Sequence, residues 1–197
     1  MIYGLVIVGF LLIFVCGEWL WQHRTLSQEH ARKFIHIICG VYTVLLPFVI
    51  SYYAIAIIAL GFTVLMIAMH NRTILKVITT ANRTTFGTML MPLGIAVTAW
   101  LFPQYFVFST AIAILTFADS AAALFGRQGG KSAQGSLMFF LVSVAVLVVA
   151  SLLHGSMVSA HVITIALIAT LIERYSYYGL DNFSVPLSTA FLITVLL

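Results

Sequence analysis

The chain has 197 residues, 62% of them hydrophobic and 7% charged, with nine Lys and Arg against five Asp and Glu and a formal net charge of +4. A mean hydropathy of +1.14, with a charged fraction far below the roughly one quarter usual in soluble domains, excludes a water-soluble globular protein. The basic residues are split over four short loops and form no continuous stripe, which excludes nucleic acid as a partner and leaves anionic lipid headgroups or a phosphorylated substrate.

The charges fall in four clusters: Glu18, Arg24, Glu29, Arg32 and Lys33; Arg72, Lys76 and Arg83; Asp119, Arg127 and Lys131; and Glu173, Arg174 and Asp181. The stretches between them, residues 34–70, 84–118 and 132–172, hold no Asp, Glu, Lys or Arg. Each is long enough to cross a bilayer twice, since one crossing takes about 20 residues. All the ionic chemistry is therefore expected on one membrane face. The positive-inside bias makes that face cytoplasmic and places both termini outside.

In chain order the pattern predicts spans over 2–21, 34–50, 52–70, 86–102, 105–125, 136–153, 158–174 and 182–197. This is an all-α, polytopic bundle of about eight helices forming a single integral membrane domain over 1–197. The last span is short and contains Pro186, so seven helices plus a re-entrant segment is the alternative. No basic residue precedes the first apolar run, whereas a cleavable signal peptide needs a positive leader, so this run is expected to remain as the first helix. The small size and lack of a targeting segment point to a prokaryotic plasma membrane.

Pro47, Pro103 and the His154, Gly155, Ser156 stretch mark the uncharged turns. Trp19, Trp21, Trp100, Tyr52, Tyr53, Tyr105, Tyr177 and Tyr178 cluster at helix ends, as interfacial aromatic belts do. Cys16 and Cys39 have no metal or redox spacing and read as small buried residues. The run Ala118, Ser120, Ala121, Ala122, Ala123 and Gly126 lets the fifth helix approach a neighbour closely.

Ionisable groups at a membrane edge are costly, which makes each a functional candidate. In residues 29–36, helical spacing sets Glu29 against Lys33 and Arg32 against His36. His36 lies a turn inside an apolar helix and needs a polar partner there. Asp119 precedes a Gly-rich basic loop and a helix start, with Arg127, Lys131, Ser132 and Gly135 placed to meet phosphate oxygens, aided by the helix N-terminus. The spacing is not that of a Walker loop. Read structurally instead, Asp119 is a partner of Arg127. Glu173 and Asp181 flank a tight connection containing Gly179 and offer two further carboxylates for a divalent cation. Asp181 and Asn182 capping the eighth helix is the structural alternative. Arg83 is a further candidate phosphate clamp or a plain charge anchor.

Together these segments resemble the dolichol kinase and phytol kinase family of membrane-embedded polyprenol and lipid kinases. The matching text is Arg32, Lys33 and His36; Asp119, Ala122, Gly126 and Arg127; Lys131, Ser132, Gly135 and Ser136; and Glu173, then Asp181, Asn182 and Pro186, in the family's order over nearly the whole chain. Two departures are Ala118, where a Gly usually precedes the Asp, and a short connection from Gly126 to Lys131.

The resemblance implies phosphoryl transfer from a nucleoside triphosphate, CTP or ATP, to an isoprenoid alcohol such as phytol, farnesol or a polyprenol, or to diacylglycerol. Asp119 would bind Mg²⁺ or accept the hydroxyl proton, with Glu173 and Asp181 as further Mg²⁺ ligands. Arg32, Lys33, Arg83, Arg127 and Lys131 would hold phosphates, with Ser132 and Gly135 at the helix start, and His36 would orient the acceptor or a phosphate. Two alternatives stand beside this reading. One is a cytidylyltransferase making a CDP-lipid, although residues 173–181 lack the Lys of that signature. The other is a small transporter or non-catalytic membrane protein, which the one-sided charges disfavour, because transporters bind near the midplane.

Overall fold

The computed structural model describes residues 1–69, 86–126, 131–155 and 158–197. Within them lie eight helices: α1 (Ile2–Gln22), α2 (Gln28–Leu45), α3 (Tyr52–Met69), α4 (Gly87–Leu101), α5 (Tyr105–Phe125), α6 (Ala133–Leu153), α7 (His161–Tyr175) and α8 (Asp181–Leu196). The described residues include no strand. Five helices are long and apolar enough to cross a membrane: α1, α3, α5, α6, and α2 with the 3-10 turn Leu46–Phe48 that prolongs it. The helices α4 and α8 are shorter and apolar. The protein is a helical membrane bundle, and the expected spans correspond to these eight helices.

Apolar runs make the helices, and polar side chains start them. Ser27 caps α2, its hydroxyl accepting from the His30 N–H at 3.3 Å, and Ser132 caps α6 through the Gly135 N–H at 3.1 Å. Each cap satisfies one of the amide donors that a helix start leaves unpaired. Pro186 does not break the last helix; α8 runs through it with the ring buried against α4. Gly94 makes that contact possible, since a Cβ there would come within 3.0 Å of the Phe183 backbone.

The central helix is α5, which packs against α2, α6 and α8 and is buried over most of its length. Between Ile114 and Ala118 it opens into a π turn immediately before Asp119. A π turn inserts an extra residue into the helix and re-aims the side chains that follow, and such turns recur at functional sites. On one side of α5 a core forms from Val107, Ile114, Phe139, Leu147, Ile165 and Val185; on the other, from Leu46, Ile55, Ile95, Phe108 and Ile112.

α1 lies at the periphery against α2, with only Val6, Gly17 and Glu18 buried. Its Leu5, Val8, Leu11, Leu12 and Val15 face outward, as lipid-facing residues do. This corrects one expectation: Cys39 is buried, but Cys16 is exposed on that outer face. In an apolar helix, hydropathy does not distinguish the protein-facing side from the lipid-facing one.

Candidate functional site

Helices of alternating direction bring six ends together: the starts of α2, α4, α6 and α8 and the ends of α5 and α7. Direct contacts tie them. Lys33 of α2 meets Asp119 of α5, Lys131 before α6 meets Glu173 of α7 and Asp181 of α8, and Asn182 donates to the Gly87 carbonyl at 3.3 Å. The Phe86 N–H closes the ring by donating to the Tyr178 carbonyl at 2.9 Å.

Two cation-centred groups result. In the first, Lys33 Nζ donates to Asp119 Oδ2 at 2.6 Å, both side chains mostly buried at 13% and 17% exposure. His36 Nε2 sits 3.6 Å from the same oxygen and 3.2 Å from the Leu115 carbonyl inside the π turn. In the second, Lys131 Nζ lies 2.6 Å from Glu173 Oε1 and 2.6 Å from Asp181 Oδ2, and it also donates to the Glu173 carbonyl. Burial pulls the Lys131 ammonium down, but the Asp181 and Glu173 carboxylates more than offset this and hold its pKa above the ordinary lysine value.

Both groups open into one cavity of about 760 Å³. Its mouth is lined by Arg32, Lys33, His36, Asp119, Lys131, Ser132, Gly135, Glu173 and Asp181. These are all the site residues expected from the sequence that lie among the described residues. Arg83 and Arg127 lie outside them, so the proposed pairing of Asp119 with Arg127 does too.

Several expected pairings differ. Glu29 does not pair with Lys33 but with Arg32, at 3.2 Å and three residues apart, because Lys33 turns inward to Asp119. His36 likewise contacts α5 instead of Arg32. Asp181 is the first residue of α8, after Leu180 at the N-cap position, and its carboxylate serves both readings: Oδ1 accepts from the Asn182 N–H at 3.0 Å at the helix start, and Oδ2 accepts from Lys131. For Lys33 and His36 a contact across the helix interface replaces the local one that spacing suggests. Arg32 keeps only a half-exposed partner, a pairing of little strength.

The divalent cation expected at Asp119, Glu173 and Asp181 meets a divided arrangement. Among the described residues no three His, Cys, Asp or Glu side chains are grouped to hold a metal. Asp119 faces Lys33, while Glu173 and Asp181 share one ammonium. The latter two do fit a cation as a pair. Their oxygens, each 2.6 Å from one nitrogen, are no farther apart than twice that distance, and carboxylate oxygens are the donors that Mg²⁺ prefers.

The cavity also has an apolar arm lined by side chains of α1, α2, α3 and α4, among them Phe14, Phe62, Met66 and Met91. Sequence reading does not find this arm, because a cavity wall and a lipid-facing surface use the same residue types in this chain. Glu18, the fifth carboxylate, lies outside the cavity and accepts from Gln22 at 2.9 Å. No family model, curated protein or solved structure matches the chain.

Proposed function

We propose that the protein is a membrane lipid kinase that transfers the terminal phosphoryl group of a nucleoside triphosphate, CTP or ATP, to a lipid alcohol at the membrane edge. The observation that carries this reading is the continuity of a charged mouth holding Lys33, His36, Asp119, Lys131, Glu173 and Asp181 with an apolar arm inside the bundle. Phosphoryl transfer demands positioning and charge stabilisation more than covalent chemistry from the protein. A mouth with lysines at its centre supplies the charge, and the arm supplies the position.

In this mechanism the lipid lies in the arm with its hydroxyl beside Asp119. The hydroxyl oxygen attacks the γ-phosphorus, the bond from that phosphorus to the bridging oxygen breaks, and the nucleoside diphosphate leaves. The hydroxyl proton passes to the Asp119 carboxylate. His36, held by the Leu115 carbonyl, orients the acceptor. Lys33, Arg32 and Lys131 receive the phosphate oxygens, the lysines exchanging carboxylate partners for phosphate. Glu173 and Asp181, once Lys131 turns to phosphate, are the residues that would hold Mg²⁺, which would neutralise phosphate charge. On this reading the charged end is cytoplasmic, where nucleotides are, and both termini are outside.

The test is label transfer with purified protein, CTP or ATP labelled at the α- or γ-phosphate, and phytol, farnesol, a long polyprenol, diacylglycerol and phosphatidic acid as acceptors. Label entering lipid only from the γ-position supports the kinase. Label from the α-position replaces it with a cytidylyltransferase, and no lipid labelling from either nucleotide removes the reading.

A further inference from the structure

The chain has five carboxylates, and all of them lie among the described residues. Glu29 meets Arg32, Asp119 meets Lys33, Glu173 and Asp181 share Lys131, and Glu18 on α1 accepts from Gln22. Among the described residues Arg174, in the last turn of α7, has no carboxylate partner. It is partly buried, and Nη1 donates to the Ser136 hydroxyl of α6 at 3.0 Å. A guanidinium has five N–H donors and stays charged at any physiological pH, so one neutral acceptor leaves most of its bonding capacity unused.

Ser136 connects this cation to the site, since it lines the mouth with Lys131, Ser132 and Gly135 while Arg174 stands behind it. Elsewhere in the bundle the helical Ser120 and Ser188 donate their hydroxyls to the carbonyl four residues back. Ser136 makes no such bond among the described residues. Its oxygen accepts from Arg174, which leaves the hydroxyl proton free to be donated into the mouth. The charge of the mouth favours such a group. Its lining sets Arg32, Lys33 and Lys131 against Glu29, Asp119, Glu173 and Asp181, three cations to four carboxylates. Both lysines are already held by carboxylates, so an arriving phosphate gains most from a cation that is not.

We propose that Ser136 and Arg174 form a phosphate-binding pair at the mouth. Ser136 donates its hydroxyl to a phosphate oxygen, and Arg174 fixes that hydroxyl and supplies the compensating charge. The pair adjoins the Lys131 group, because Lys131 precedes α6 and its partner Glu173 is the residue before Arg174. The ligand is a phosphate anion, carried either by a nucleoside triphosphate or by an anionic lipid headgroup. This deepens the proposed kinase site, which it takes as the phosphate-receiving mouth, and it is tested by binding with neither acceptor nor turnover.

One arm of the experiment is calorimetric titration of inorganic tripolyphosphate into the purified full chain in neutral detergent. The other is the rise in melting temperature between nanodiscs of phosphatidylcholine alone and nanodiscs that also contain phosphatidylglycerol. Ser136→Ala should weaken tripolyphosphate at least fivefold and Arg174→Met at least tenfold, with melting temperatures near wild type in the absence of anion. The double variant should stay within twofold of Arg174→Met, because the two side chains act as one unit. Arg174→Lys restores the charge and should bind at least threefold more tightly than Arg174→Met. Weakened tripolyphosphate assigns the pair to the phosphates of a nucleotide. Loss of at least half the phosphatidylglycerol effect, with tripolyphosphate unchanged, assigns it to a lipid headgroup. Where Arg174→Met does not fold, Ser136→Ala carries the test, since it removes only a partly buried hydroxyl. Wild-type behaviour of both single variants in both arms overturns the pair and leaves Arg174 a membrane-edge charge anchor. So do additive losses in the double variant, an Arg174→Lys no better than Arg174→Met, or a wild type that responds to neither anion. Tripolyphosphate binding that depends on the pair, in a protein that transfers no phosphoryl group to lipid, keeps the site and refutes the kinase.

Discussion

Asp119→Asn separates chemistry from architecture. The carboxylate is 17% exposed and sits 2.6 Å from Lys33, which is 13% exposed. Breaking a fully buried pair by removing one partner costs roughly 3–5 kcal/mol, mainly because the other charge is left uncompensated. Asn softens that loss: its Oδ1 still accepts from the ammonium, and Lys33 lines an open cavity. The expected destabilisation is therefore about 1–2 kcal/mol, at the size of one retained hydrogen bond against a lost charge. Asn, however, does not take a proton. Loss of a proton acceptor lowers rate about 10²–10⁴-fold, which is roughly 2.7–5.4 kcal/mol of barrier. The catalytic loss should exceed the stability loss. The assay is γ-label transfer at saturating lipid and nucleotide, beside thermal unfolding of the same preparation. The double variant Lys33→Met with Asp119→Leu removes both charges and should regain stability without regaining activity. A monodisperse Asp119→Asn protein retaining more than about a tenth of the wild-type rate, a change below ~1.4 kcal/mol, would refute Asp119 as the proton acceptor.

Gly40→Ala tests how closely α2 must approach α5: a Cβ there would run into the buried Thr116 side chain, so the variant should push Lys33 and His36 away from Asp119, lowering the melting temperature and reducing kcat at least tenfold in the protein that remains folded. Lys131→Met leaves Glu173 and Asp181 facing each other without their shared cation, and should lower the melting temperature and weaken nucleotide use; Asp181→Asn added to it should recover part of the melting temperature. Gly126→Ala places a Cβ 2.5 Å from the Ala122 carbonyl, and the backbone shift it forces should cost about 1–3 kcal/mol of stability, measured by thermal unfolding. In a Cys16→Ala, Cys39→Ala background, a cysteine at Gln104 should react with an impermeant thiol reagent added outside intact cells and one at Gln28 should not; the reverse pattern removes the cytoplasmic assignment.

Hydropathy and charge placement determined the helices of this protein on their own. Each uncharged turn lies where Pro47, Pro103 or the His154, Gly155 pair interrupts an apolar run, and backbone groups in a bilayer leave a chain of such runs little choice but helix. The site residues were also legible, because ionisable groups are so few here that nearly every one is a candidate. Their partners were not. Spacing within a segment favours the local pairs Glu29 with Lys33 and Arg32 with His36, yet Lys33 and His36 turn to Asp119, more than eighty residues away in the case of each. A charge near the hydrocarbon gains more from a desolvated partner across a helix interface than from one exposed on its own helix. The π turn that re-aims Asp119 leaves no mark in a stretch as apolar as Ile114, Leu115, Thr116, Phe117 and Ala118. The apolar arm was hidden for a related reason: which faces of α1, α2, α3 and α4 meet protein, lipid or empty space depends on how the helices pack, and a uniformly apolar helix carries no periodic signal of that choice.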